Sequence, residues 1–597
     1  MIQFAEQMRY IPGLVRGLQQ PALAGYIHVQ LEPGTSVSHA FTGLDQFLPN
    51  FEAESQTGDE LTWLLGTIID AAGVLYRGNN TVCSRKYTLA AIKSSDNKVQ
   101  KFEFFVPLPV PPATAKKCYE WFFDFVKANL SESDPSDALT TDFKSRMDSL
   151  LQEIRQDKIA SVNRYAIAMA ALDANIPIFP MQFDVYCLGQ GINSRLVSSS
   201  LTDTTPVISA QLANNKFHTA EYLRTLGLPA PRHLLVGNKQ GAIAAASQLG
   251  CPVVVKPADR DRGEGVYTNL RDADKVANAY DLARKHSANI LVEQYYEGRT
   301  HRLTVFQGKL IKVVKRKPGG VIGDGEKTVA QLVDEVQQTR RHQIISLQHG
   351  RPVLSLDDEA QALLAEQRLT ADSIPEEGLF VPLRYRDNAS TGGSNKMLPL
   401  GKVHPDNQQL AIDVAHRMRL DIAGIDLIIP DIKESWQSQQ AVICEVNCQP
   451  TIGMGETPML YIDILEQLVP KGGRIPLFLA IWDEAIEAPQ AALQGLLKSL
   501  SCQAFSSKAG VFVDGTLTTG TFANSNAAAR ALLLNNDVNS GLCLYDSHDL
   551  LLYGLPSDHF DCVYILYRNI DGRKIDKELQ GALSLLPPGL RREYFEL

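Results

Sequence analysis

Apolar and polar positions along the chain change period several times. YIHVQLEP (26–33) and VQKFEFFVPLPV (99–110) read as strands, while DELTWLLGTIIDAAGVLY (59–76) and DFKSRMDSLLQEIRQDK (142–158) repeat at helical spacing. That mixture predicts an α+β domain at the start of the chain. NLSESDPSDALTTD (129–142) is rich in turn formers and predicts a surface loop. A helix is expected over NKFHTAEYLRTLG, ended by Gly227 and followed by Pro229 and Pro231. From there strands and helices alternate to about Val469, and a further α/β segment follows. The pattern predicts a multidomain protein of α/β and α+β type, with domains at 1–205, 206–470 and 471–597.

The totals fit that division. A chain of 597 residues is too long for one core. The formal charge of −9 argues against a nucleic-acid partner, while leaving room for a local basic cleft that takes an anionic nucleotide. MIQFAEQMRYIPG has no basic segment leading into an apolar one, so no secretory signal is expected. No apolar run approaches the roughly 20 residues of a membrane span. Nine scattered cysteines suggest reduced thiols in a cytoplasm. Cys444 and Cys448 have no second pair with which to build a zinc site.

Chemistry concentrates in the middle. In CPVVVKPADRDRGEGVYTNL (251–270) a buried-type strand at Val253–Val255 delivers Lys256 to its end, where a flexible ammonium can reach a phosphate. Gly263 and Gly265 let backbone N–H groups close over phosphate oxygens. A later strand ends in Glu293 and Gln294, and the next carries Arg302. GIDLIIPD and AVICEVNCQP read as neighbouring strands. Glu445 and Asn447 are two apart, so they share a face, and Asp426 can oppose them from the adjacent strand. Two carboxylates and an amide oxygen on one face suit Mg²⁺ bridging nucleotide phosphates.

The order Lys216, Lys256 with its Gly-rich loop, Glu293, Arg302, Asp426 and Glu445-x-Asn447 resembles an ATP-grasp carboxylate–amine ligase. LGQGINSRLVSSSLTDTT, EGRTHRLTVFQGKLIKVVKRKPGGVIGDGEKTVAQLVDEV, NASTGGSNK, LDIAGIDLIIPDI and ICEVNCQPTIGM resemble stretches of the cyanophycin synthetase family. The resemblance implies ATP and Mg²⁺ as cofactors. Lys216 and Lys256 would hold the α/β phosphates, with Gly263 and Gly265 in the loop above them. Glu293 and Gln294 would lie at the nucleotide slot, and Asp426, Glu445 and Asn447 would ligate the metal. Arg302 would steady a developing oxyanion, and the loop Ser390-Thr391-Gly392-Gly393 would offer donors to the acceptor carboxylate. The implied reaction passes a phosphoryl group to a carboxylate, and an amine then attacks the acyl phosphate to form an amide. A homodimer is also implied.

The chain departs from the family in places. Arg262 and Glu264 stand where the loop usually carries histidine and arginine, and WLLGTIIDAAGVLYRG lacks the histidines of the family's N-terminal helix. In full-length members Gly-Arg-Ile-Pro leads into a Mur-ligase-like domain with a Gly-Thr-Asn-Gly-Lys-Thr phosphate loop, which adds arginine. Here GRIPLFLAIWDEAIEAPQ keeps the lead-in, but Trp482 to Glu487 replace the loop. Ile486 stands in place of the lysine and Glu487 in place of the hydroxyl, so phosphate would be repelled. SKAGVFVDGTLTTG (507–520) resembles a remnant of the same domain. The expectation is a truncated, inactive third domain. One grasp site would then join β-aspartyl-arginine dipeptides to a growing cyanophycin chain. A ligase for another short peptide or amino-acid polymer, and an inactive scaffold beside a full synthetase, are the alternatives.

Overall fold

A computed structural model describes residues 2–596, except 5–7, 33–34, 50, 54–58, 93–98, 132–136, 260–264, 340–341, 344–345, 347–351, 386–391, 454–456, 483–489, 568–574 and 576. Two compact units emerge: 200–452, and a second made of 1–199 together with 453–597.

In the 200–452 unit, Val253–Pro257 pairs antiparallel with Ile290–Gln294, and together with His233–Val236 and Tyr267–Leu270 they form a four-stranded sheet. Strand alternation sends Val253, Val255, Ile290 and Val292 into a core with the helices Lys239–Leu249 and Ala273–Arg284. Each helix is opened by a side-chain cap, Asn238 Oδ1 accepting from Gly241 N and Asp272 Oδ1 from Lys275 N. Lys256 and Glu293 are left on the opposite face.

A second, five-stranded antiparallel sheet has the order Ser394–Leu398, Lys309–Lys317, Arg299–Phe306, Ile422–Ile429, Val442–Asn447. Leu303, Val305, Val313, Ile425 and Leu427 point to one side, against the helix Pro405–Arg417. A smaller lobe packs Val321, Leu332, Val333, Leu364 and Val381.

In the other unit, Ala22–Val29 and Gln100–Pro107 lie inside an antiparallel sheet, covered by Glu60–Gly78 and by Pro112–Ser131 with its buried Trp121 and Phe122. The α+β reading of this region holds. The loop expected over 129–142 is shorter than that, because helices reach Ser131 and begin again at Asp137. The second helix is set by Phe143, Met147, Leu150 and Ile154, which recur at helical spacing and are all buried.

The same unit holds a seven-stranded, mostly parallel sheet. Leu477–Trp482 sits inside it, parallel to Gly541–Asp546 on one side and Cys562–Tyr567 on the other. Leu479, Ala480 and Ile481 are fully buried, as a central parallel strand covered on both faces requires. The helix Gln490–Leu500 follows, and residues 483–489 between them, including Ile486 and Glu487, lie outside the described residues. Among the described residues no helix is long and apolar enough to cross a membrane.

Candidate active site

The five-stranded sheet sets the site's geometry. Arg302 and Asp426 are directly opposed on adjacent strands, and Asp426 is opposed in turn by Glu445. Gly424 opposes Asn447 one step along the same face. The register slips between Asp426 and Leu427, leaving Cys444 as an extra residue in the Val442–Asn447 strand. Ile443 and Val446 therefore both reach the core, while Glu445 and Asn447 stay half-buried on the open face, as their spacing predicts.

Charged groups pair across that face. Arg302 donates to both Asp426 oxygens, Nε to Oδ1 at 2.5 Å and Nη2 to Oδ2 at 2.8 Å. Arg316 approaches Asp426 Oδ2 at 3.4 Å. Burial alone would push the Asp426 carboxyl up, but Arg302 and then Arg316 more than offset it and hold it below the usual carboxylate range. Lys216 opens the helix Lys216–Thr225, capped by Asn215, and its Nζ lies 3.3 Å from Glu445 Oε1. Lys256 Nζ meets Glu293 at 2.8 Å and 2.7 Å, and both residues are less than 10% exposed.

These pairs form one electrostatic cluster. Burial pushes the Cys444 thiol up, with Asp426 and Glu445 adding to the effect and Lys256 opposing it. Arg302 feels Glu445 as well as Asp426. Among the described residues, the cations Lys216, Lys256, Arg302 and Arg316 interleave with the carboxylates Glu293, Asp426 and Glu445 on this face.

The structure thus brings together Lys216, Lys256, Glu293, Arg302, Asp426, Glu445 and Asn447. Strand alternation turns Gln294 away from Glu293, and its Oε1 accepts from Tyr296 at 3.3 Å. Gly265 has a φ of +68°, and a Cβ there would lie 3.1 Å from both Pro257 and His286. Gly392, at φ +84°, packs near Leu354, Val353 and His342. Gly263 and Ser390 lie outside the described residues.

Sequence reading missed two groups. Arg316 follows Lys312 and Val314 at alternate positions of KLIKVVKRK, a period that could have placed it on the Arg302 face. His233 opposes Glu293 in register, with its ring 4.9 Å from Phe217. Burial lowers its pKa, and neither ring nitrogen has a hydrogen-bond partner among the described residues. Its Nε2 lies 3.5 Å from Glu221 Oε1, so this buried imidazole stands among Glu221, Lys256 and Glu293 at the edge of the charged face. The donor set also fits a metal–nucleotide, with lysines for phosphate and hard carboxylate and amide oxygens for Mg²⁺.

The fold includes an ATP-grasp domain. Residues 382–471 match the family model described as "RimK-like ATP-grasp domain". The chain is similar to cyanophycin synthetase of Nostoc sp., 34% identical over 301 residues, which is 49% of this chain and 33% of that protein. It is also similar to the glutathione biosynthesis bifunctional protein GshAB of Mannheimia succiniciproducens, 28% identical over 317 residues, covering 51% of this chain and 41% of that one. Among solved structures, a bifunctional glutathione synthetase from Pasteurella multocida matches 59% of this chain and 52% of its own, at 23% identity and a TM-score of 0.38. The matched region spans about a third of the length of the cyanophycin synthetases.

Proposed function

We propose that the protein is an ADP-forming carboxylate–amine ligase that joins β-aspartyl-arginine dipeptides into cyanophycin. The observation that carries the ligase reading is the paired-charge face, in which each candidate carboxylate is held by a cation. Lys216 pairs with Glu445 and Lys256 with Glu293. Phosphate oxygens compete for both lysines, and binding them frees Glu445 beside Asp426 and Asn447. Bound there, Mg²⁺ supplies further neutralisation of phosphate charge. Arg302 is already fixed by Asp426, so its planar fork meets developing oxyanion charge without reorganising. A substrate carboxylate accepts the γ-phosphoryl group of ATP, and an amine displaces phosphate to leave an amide.

The dipeptide reading rests on the likeness to cyanophycin synthetases and on the sequence that follows the Leu477–Trp482 strand. Trp482 to Glu487 contain no glycine, lysine, serine or threonine, the residue types from which a phosphate loop is built. A chain that builds the backbone without adding arginine needs arginine attached beforehand. Purified protein given ATP, Mg²⁺ and β-aspartyl-arginine should release phosphate and deposit insoluble polymer. Turnover only with free aspartate plus arginine would overturn this substrate. The likeness to the glutathione biosynthesis protein favours a second reading, a ligase for a different short peptide. Mass spectrometry of products from a mixed amino-acid pool separates the two.

A further inference from the structure

The unit formed by 1–199 and 453–597 contains a cavity of about 440 Å³, a size typical of small-molecule sites. Its polar lining is unusual in what it leaves unmade. Gln19 is 7% exposed, and both of its side-chain amide atoms are buried with no hydrogen-bond partner among the described residues. Thr81 is 2% exposed, and its hydroxyl is likewise unpartnered. Gln20, which also lines the cavity, is satisfied: its Nε2 donates to Val82 O and its Oε1 accepts from Ser84 N. Gln20 thus holds the wall, while Gln19 and Thr81 keep unused capacity. A buried polar group without a partner costs roughly 1–3 kcal/mol, so two on one cavity need an explanation.

Arg530 supplies the charge. It projects from the helix Ser525–Leu534, one turn after Asn526, and both line the cavity. Its guanidinium lies over the Phe179 ring, 5.5 Å from the ring centre, a contact that favours this placement of the planar fork. No carboxylate among the described residues forms an ion pair with it. A guanidinium with no ion-pair partner among the described residues, on a largely apolar cavity, suits a carboxylate, which it can bind through two parallel hydrogen bonds. Asp157 also lines the cavity and is exposed, offering an opposite charge toward an ammonium.

We propose that this cavity binds a small zwitterionic carboxylate of the free amino-acid class. Arg530 takes the carboxylate, Gln19 and Thr81 complete hydrogen bonds to the ligand's polar atoms, and the apolar wall covers its side chain. The site is separate from the ATP-grasp cleft, because every lining residue belongs to the other compact unit.

The test is calorimetric titration of the full-length protein, without nucleotide, against the twenty L-amino acids singly and the decarboxylated amine of each one that binds. At least one amino acid should bind with one-to-one stoichiometry, and its amine should bind at least tenfold more weakly. Arg530→Gln and Thr81→Val, each checked for native circular dichroism, should each weaken binding at least tenfold. Arg530→Lys should recover part of the loss, since it returns charge without the fork. The proposal is overturned if no amino acid binds at millimolar concentration, or if binding survives Arg530→Gln and Thr81→Val unchanged. If Arg530→Gln unfolds the protein, Thr81→Val decides alone, because it alters one hydroxyl at constant volume.

Discussion

Arg302 and Asp426 face each other across adjacent antiparallel strands, and the guanidinium donates to both carboxylate oxygens at 2.5 and 2.8 Å. Asp426 is 1% exposed, so its charge is tolerable only while the cation remains. Arg302→Met leaves it with Arg316 alone at 3.4 Å. The expected cost is about 3–5 kcal/mol by denaturant unfolding. Arg302→Met combined with Asp426→Leu should cost clearly less than the two single changes summed, since no charge is then stranded. Additive losses would show that the pair is not coupled.

Lys256 and Glu293 make a second buried pair whose members separate stability from chemistry. Lys256→Met should lower ATP turnover on the order of 100-fold or more, as removal of a donor to transition-state charge does. It should also destabilise the protein, because Glu293 loses its partner. Adding Glu293→Gln should restore the melting temperature without restoring turnover. Recovery of both would mean that Lys256 serves only the fold.

Much of this site is legible in the sequence because its parts are local. The Val253–Pro257, Ile422–Ile429 and Val442–Asn447 strands announce themselves by apolar runs, and the two-residue spacing of Glu445 and Asn447 fixes their common face. Pairing between strands is not local. Nothing near Arg302 says that Asp426 lies opposite, or that Cys444 is the bulged residue. Arg316 and His233 enter the cluster only through such cross-strand neighbours. Likewise, no periodicity shows that 1–199 and 453–597 share a unit, which depends on bonds such as Gln190 N to Gly473 O and Ile192 N to Val538 O. Composition does locate the apolar core strand at Leu477–Trp482, since a parallel strand buried on both faces must be apolar throughout.

Gly424 is required by close approach rather than by backbone conformation. A Cβ there would lie 2.9 Å from Arg302 Nη1 and 2.8 Å from Pro450 Cβ. The arginine is pinned by Asp426, so it cannot yield without losing a hydrogen bond. Gly424→Ala should cost about 1–3 kcal/mol through overpacking. It should also lower kcat while leaving nucleotide affinity nearly unchanged, since the lysines are untouched. Wild-type kcat in Gly424→Ala would show that Arg302 can shift without consequence.

His301 gives the Arg299–Phe306 strand a dependence on acid. Its side chain is 1% exposed, and Nδ1–H donates to Arg299 O at 2.9 Å. Burial lowers its pKa to about 4, with the Arg299 carbonyl partly opposing the shift. An unfolded histidine titrates near 6.5, so between these values the unfolded chain binds more protons and stability rises with pH. The contribution is therefore complete above about pH 6.5 and is lost as pH falls toward 4, on the order of 3 kcal/mol in all. The measurement is hydrogen exchange in the Arg299–Phe306 and Ile422–Ile429 strands at pH 7, 5.5 and 4.5, corrected for intrinsic rates, because it reads these two strands directly. Wild type should lose protection across that range. His301→Asn, which keeps a donor for the Arg299 carbonyl but cannot titrate, should be less protected at pH 7 and show a flatter slope. Parallel slopes for the two proteins would place the acid sensitivity elsewhere.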